Sequence, residues 1–236
     1  MESSEIKRIR QVYAEYRQQG RWSSLNPGRE HIEAERLRQL SATLKKQNHS
    51  LFRYKILDIG CGSGDLLNWF HQEGAKAENL FGVDLLPDEV DSARRKYPKL
   101  TFTEANAENL ELRDNSFDLI STFMVFSSIL DEQTSKNVAK TITRLLRPGG
   151  VIAWYDLRYP NPNNPSVRAM TKTRIRQLFP NFHLKLHSTT LLPPVAEKLG
   201  RHTDLIYPLL GKIPVFRSHY VGLLEQGYSA PLSGRG

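Results

Sequence analysis

The 236-residue chain holds 33 Lys and Arg against 25 Asp and Glu, a formal charge of +8 at pH 7, with 39% hydrophobic and 25% charged residues. That size buries the core of one large domain, or of one domain plus a small appendage, and that composition excludes a disordered chain. The single cysteine, Cys61, excludes internal disulfides and a cysteine-cluster metal site, so no metal is expected.

Residues 1–48 read as a helical lid. Ile6, Ile9, Val12, Tyr13 and Tyr16 recur at helical spacing, a loop over 20–28 contains Trp22 and Asn26-Pro27-Gly28, and a second helix over about 30–46 carries Ile32, Leu37, Leu40 and Leu44 on one side. The first residues lack the apolar core of a secretory signal, and no run approaches 18 uninterrupted apolar residues. A reducing, cytoplasmic location is the default expectation.

From residue 53 short apolar runs alternate with helical stretches. Strands are expected over 55–59, 80–85, 100–103, 117–123 and 151–157, with helices over 65–72, 87–97 and 132–146 and a short turn near Glu108. Such alternation predicts βαβ crossovers in an α/β, Rossmann-like, doubly wound sheet with helices on both faces. Pro148-Gly149-Gly150 is expected to break the chain between a helix and the fifth strand. A proline-rich loop from Pro160 to Pro165, a basic helix over about 166–179 and two late strands over 183–192 and 219–225 follow. A helical insertion separates the late strands, one of them expected antiparallel, and 227–236 reads as a frayed tail.

Residues 55–65 form a strand, a glycine-rich turn and a helix start. Glycines at 60, 62 and 64 let a ligand approach bare backbone, but position 65 is Asp, so the dinucleotide spacing G-x-G-x-x-G fails. A carboxylate there would repel a pyrophosphate. The next strand ends Gly82-Val83-Asp84-Leu85, with the acid 20 residues after Gly64, placed to accept hydrogen bonds from both hydroxyls of a ribose.

Five segments carry a resemblance. They are Leu57 to Gly64, Gly82-Val83-Asp84, Ala105 to Leu110, Asn115 to Ile120 and Leu145 to Gly150. In that order and at those intervals, residues 53–158 resemble class I S-adenosylmethionine-dependent methyltransferases, nearest the small-molecule group called methyltransferase-11 type. The resemblance implies S-adenosyl-L-methionine as cofactor. It places Asp58 near the methionine amino group, Gly60, Cys61 and Gly62 along the cofactor through their backbone, Asp84 on the ribose, and Phe123 near the methionine portion. Asn106 stands where the family has Asp reaching the adenine, an amide oxygen being able to accept the same hydrogen bond, and the Ala107 amide would face the ring. Gly64, Leu85 and Glu108 belong to the same expected cofactor set. Cys61 reads as a small residue in a tight loop rather than a nucleophile, and Asp118 as a structural strand residue.

Methyl transfer rests mainly on alignment, with a general base for a hydroxyl acceptor. The related group often has a histidine after the fourth strand; here the stretch is Met124 to Ile129, without one. Asp156 is the candidate substitute, with Arg158 either binding an anionic acceptor or pairing with Asp156. His187 and His219 are weaker catalytic candidates, and Tyr13, Trp22 and Arg158 are candidate acceptor contacts. The acceptor-side loops and insertion span 159–216 of a main domain at 49–226.

The expectation is O-methylation of a small or mid-sized metabolite hydroxyl by a monomer or homodimer. The charge of +8 keeps RNA or tRNA methylation as an alternative, against which stands the lack of an RNA-binding module or an Asn-Pro-Pro-Tyr-like tetrapeptide. A non-catalytic cofactor-binding protein is the third reading.

Overall fold

The computed structural model describes residues 3–19 and 26–227, so Trp22 and the expected tail from 228 lie outside the described residues. Helices α1 (Ser4–Gln18) and α2 (Pro27–Lys46) precede the sheet. The first five strands are β1 (Ile56–Ile59), β2 (Leu80–Asp84), β3 (Thr101–Glu104), β4 (Phe117–Phe123) and β5 (Leu146–Leu157), interleaved with α3 (Asp65–Gln72), α4 (Pro87–Lys96) and α5 (Glu132–Leu145). Then come α6 (Lys172–Leu178), β6 (Phe182–Leu191), α7 (Pro193–Lys198), α8 (Thr203–Leu210) and β7 (Arg217–Gln226).

The seven strands form one sheet in the order β3-β2-β1-β4-β5-β7-β6. Only β7 runs against the others, pairing antiparallel with both β5 and β6. This is the Rossmann-like sheet that the alternation predicts. The chain builds outward from β1 to β3, then crosses back to lay β4 on the other flank of β1. At that reversal the loops leaving β1 and β4 diverge and open a crevice.

Side chains alternate across the sheet, so Ile56 and Leu57 enter opposite layers. One layer packs Leu40 and Leu44 of α2, Leu67 and Phe70 of α3 and Val90 of α4. The other packs Val138, Ile142 and Leu145 of α5 with Ile175 of α6 and Phe179, and Ile9 of α1 rests against it. The expected lid therefore divides. α2 belongs to the layer on the sheet, with Leu40 fully buried, and α1 crosses the crevice.

Three boundaries differ from expectation for local reasons. α2 starts at Pro27 because the Asn26 side chain caps the Gly28 and Arg29 amides. Strand β5 begins at Leu146, and Pro148-Gly149-Gly150 forms an irregularity within the strand opposite β4 rather than a break before it. Residues before Lys172 stay out of the basic helix because the Arg168 and Met170 amides donate to the Ser127 and Leu157 carbonyls, which buries Met170.

Candidate active site

A cavity of about 490 Å³ opens at the carboxyl ends of β1, β2 and β4. Asp58, next to the last residue of β1, is almost fully buried, its Oδ1 accepting the Ser121 hydroxyl at 2.6 Å, and burial pushes its carboxyl up to about 7. The next turn is held by the chain itself. The Gly60 and Cys61 amides donate to the Val83 carbonyl, and the Gly62 amide donates to Asp84 Oδ2 at 2.8 Å. Gly62 has φ +49, and a Cβ there would face the cavity with nothing closer than 4.0 Å. Gly64 differs. It has φ +83, it lies outside the cavity lining, and a Cβ would stand 2.6 Å from Phe102 Cζ, so close packing behind the turn explains the glycine.

Asp84 is nine-tenths buried; its second oxygen accepts the Leu86 amide at 2.9 Å, and burial raises its pKa. Leu85 lines the cavity beside it. Asp65, at the start of α3, also lines the cavity. Burial pushes its carboxyl up, but hydrogen bonds from Lys96, Tyr97 and Ser63 outweigh this and hold it low, so it stays charged. On the far wall Asn106 and Ala107 line the cavity. Asn106 Oδ1 accepts the Glu108 amide at 2.9 Å. Glu108 lies outside the lining, where it takes the Asn137 amide on α5 and so fixes the loop.

Past Phe123 the backbone of Met124 adopts φ +60, a strained conformation for a side chain of that size. Its amide bonds the Tyr155 carbonyl and its carbonyl accepts the Ser128 hydroxyl. Phe123, Met124 and Ser128 all face the cavity. Tyr13 reaches in from α1, its hydroxyl 2.9 Å from Ser128 Oγ, and burial raises its pKa. α1 is tied at both ends. The Glu5 carboxylate accepts from Arg8 and from the Leu130 and Asp131 amides, Arg8 reaches the Ser128 carbonyl, and Arg17 pairs with Asp88 and Glu89 of α4.

Arg36 was not foreseen. It sits on α2 with its guanidinium 5.7 Å from the Phe123 ring and 5.4 Å from the Tyr155 ring, lining the cavity. Its Nη2 meets Glu33 at 3.2 Å, whereas its buried Nε has no hydrogen-bond partner. A sequence signal existed. Ile32, Arg36, Leu40 and Leu44 repeat every four residues, so a cation interrupts the apolar stripe of α2.

The candidate bases lie outside the cavity lining. Asp156 is completely buried; its oxygens accept the Ser127 and Leu157 amides, and burial pushes its carboxyl up to about 6. It holds the turn that presents Ser128. His219 stacks on Tyr155 with centroids 4.7 Å apart, bonds Ser218, and burial drives it down to about 3, leaving it neutral. His187 bonds Thr43 of α2 at 3.0 Å, and burial lowers its pKa. Arg158 lies over the Tyr159 ring at 4.2 Å rather than against Asp156. Asp118 accepts the Lys55 amide and pairs with Arg147, a structural placement. Burial raises the Cys61 thiol well above its ordinary range, which keeps it protonated and unreactive.

A glycine turn on β1, a buried acid ending β2 and a switch-point cavity stand together, and the family model described as "Methyltransferase domain" matches residues 56–150. Those residues match a methyltransferase domain. The ubiquinone/menaquinone biosynthesis C-methyltransferase UbiE of Campylobacter jejuni is 30% identical over 119 residues, 49% of this chain and 47% of that protein. The 2-phytyl-1,4-naphtoquinone methyltransferase of Nostoc punctiforme is 29% identical over 167 residues, 67% of this chain and 65% of that protein. The crystal structure of a methyltransferase from Mesorhizobium loti matches with a TM-score of 0.60 at 18% identity, over 78% of this chain and 96% of that one, a likeness of fold. The chain spans about half the length of UbiE, and the methyltransferase domain occupies its centre.

Proposed function

We propose that this protein transfers the methyl group of S-adenosylmethionine to a small aromatic acceptor of the quinol type. The observation that carries the acceptor class is Arg36, a cation set against a pair of adjoining aromatic rings, with a buried, unpartnered Nε–H beside the cavity. The names of the two quinone-methylating relatives point the same way.

The residues fit the cofactor. Asp65 keeps a charged carboxylate at the start of α3, which disfavours a dinucleotide pyrophosphate and leaves a phosphate-free adenosyl group tolerated. Asp84, anchored by two amides, keeps lone pairs for ribose hydroxyls, and Asn106 with Ala107 borders the adenine position. Asp58 would accept the methionine ammonium, whose charge favours the ionised carboxylate. The bound cofactor supplies an electrophilic methyl on a sulfonium.

The chain's own part is alignment and charge. Arg36 stabilises an ionised ring oxygen in a partly apolar slot and so lowers the acceptor's pKa; the resulting phenolate is richer in electron density at the oxygen and at the ring carbon beside it than the neutral phenol. The acceptor's hydroxyl proton goes to solvent; after attack at carbon, the displaced ring proton leaves to water. Phe123 and Tyr13 enclose the acceptor, and the Tyr13–Ser128 bond sets the distance between α1 and the β4 loop.

The name of UbiE, a C-methyltransferase, favours carbon as the methylated atom, with the hydroxyl oxygen as the competing outcome. Incubation with methyl-labelled S-adenosylmethionine and a panel of hydroquinones tests this. The expected result is acceptor-dependent release of S-adenosylhomocysteine with the label on a ring carbon, located by NMR. Label on oxygen would reassign the position, and no release with any phenolic acceptor would overturn the proposal.

A further inference from the structure

Among the described residues, large apolar side chains left in solvent concentrate in the insertion between β6 and β7. Leu205 is 69% exposed, Leu209 58%, Val215 64% and Ile213 41%. Leu205 and Leu209 are four apart on α8 and share its outer face. The inner face is already occupied: Tyr207 is buried, and its hydroxyl donates to Glu35 Oε2 at 2.7 Å. Folding therefore gains nothing from the outward leucines, and such a cluster marks an interaction surface.

The charge around this ridge is mostly positive. Lys198, Arg201 and Lys212 are exposed beside it. Arg158 reaches the Pro214 carbonyl from the proline-rich side and carries the half-exposed Tyr159 ring with it. Of the two acids of the segment, Glu197 pairs with Arg29 of α2 at 2.8 Å, while Asp204 bonds His31 at 2.6 Å and stays exposed at the start of α8. α8 and the turn after it pack on α2 at Ile32, one helical turn before Arg36.

We propose that this ridge docks the protein on an anionic lipid bilayer. The aliphatic side chains of α8 and of the turn at 213–215 seat at the headgroup boundary, and the surrounding lysines and arginines meet anionic headgroups. This rests on the quinol reading of the acceptor: a quinol bearing an apolar tail resides in the membrane, and the ridge brings the Arg36 side of the cavity to that surface.

The test sediments the full chain with vesicles of phosphatidylcholine alone and of phosphatidylcholine mixed with phosphatidylglycerol. The wild type is expected to partition onto the anionic vesicles, less at high salt. Leu205→Asp combined with Leu209→Asp should cut partition about tenfold or more, and Arg201→Glu or Lys212→Glu about fivefold each. Absence of partition at low salt would overturn the proposal, as would equal partition of the leucine variant. So would a wild-type dimer that the leucine substitutions split into monomers in the ultracentrifuge, since that assigns the ridge to a second copy. Assay of the same samples with hydroquinone acceptors separates the claims: vesicle binding with no methylation of any hydroquinone counts against the quinol reading alone, and methylation without vesicle binding counts against the docking alone.

Discussion

On the β1–β2 side the cavity is made of backbone and short side chains from one stretch, residues 58–86, tied together by amide hydrogen bonds to Val83 and Asp84. On the β4 side it is closed by long side chains from distant segments: Tyr13 and Arg36 from the N-terminal helices, Phe123 at the end of β4 and Met124 after it. The first side is a fixed cradle whose chemistry follows from chain geometry. The second depends on how α1 and α2 dock; under the proposed assignment of the two sides, acceptor choice changes there without disturbing cofactor binding.

That contrast can be broken at several points. Gly64→Val should have the largest effect, because it forces φ +83 on a branched residue and pushes a Cβ into Phe102; a loss of ~2–4 kcal/mol in denaturant unfolding is expected. Asp84→Ala should weaken S-adenosylhomocysteine about 10- to 100-fold by calorimetry, since it removes a charged acceptor and two loop anchors. Arg36→Gln should raise the acceptor KM about tenfold and leave S-adenosylhomocysteine affinity within about twofold. The reverse pattern would assign the guanidinium to the cofactor's carboxylate and merge the two sides.

The smallest effect concerns Asp156, whose buried carboxyl is pushed up to about 6. A raised carboxylate stabilises the fold while protonated: the contribution is complete below the ordinary carboxylate range and is lost as pH rises through about 6. Asp156→Asn lacks that titration. The Tm of the wild type minus that of the variant should therefore narrow from about pH 4 to about pH 7, with little change in cofactor affinity. A difference that widens with pH would mean the carboxylate is held charged.

The cradle was legible in the sequence because its parts are local. The run Asp58 to Gly64 and the acid at 84 declare a strand, a bare turn and a second strand end at fixed spacing, and alternating apolar runs predict the sheet. Gly64 was misread in kind: the same glycine serves packing against Phe102, a contact 38 residues away in the chain that spacing does not reveal. The acceptor side was mostly illegible. Asp156 ends a strand where ligands gather, yet the turn at Ser127 folds over it. Arg36 reaches the cavity only because α2 lies on the sheet rather than apart from it.

The cofactor reading makes this cavity a cradle for an adenosyl sulfonium set against a separate acceptor side. Titration calorimetry of the purified chain with S-adenosylhomocysteine, in parallel with a nicotinamide dinucleotide, tests it most directly. One saturable site per chain is expected for the first, weakened by Asp84→Ala, and none for the second. Binding of the dinucleotide in place of S-adenosylhomocysteine would contradict it.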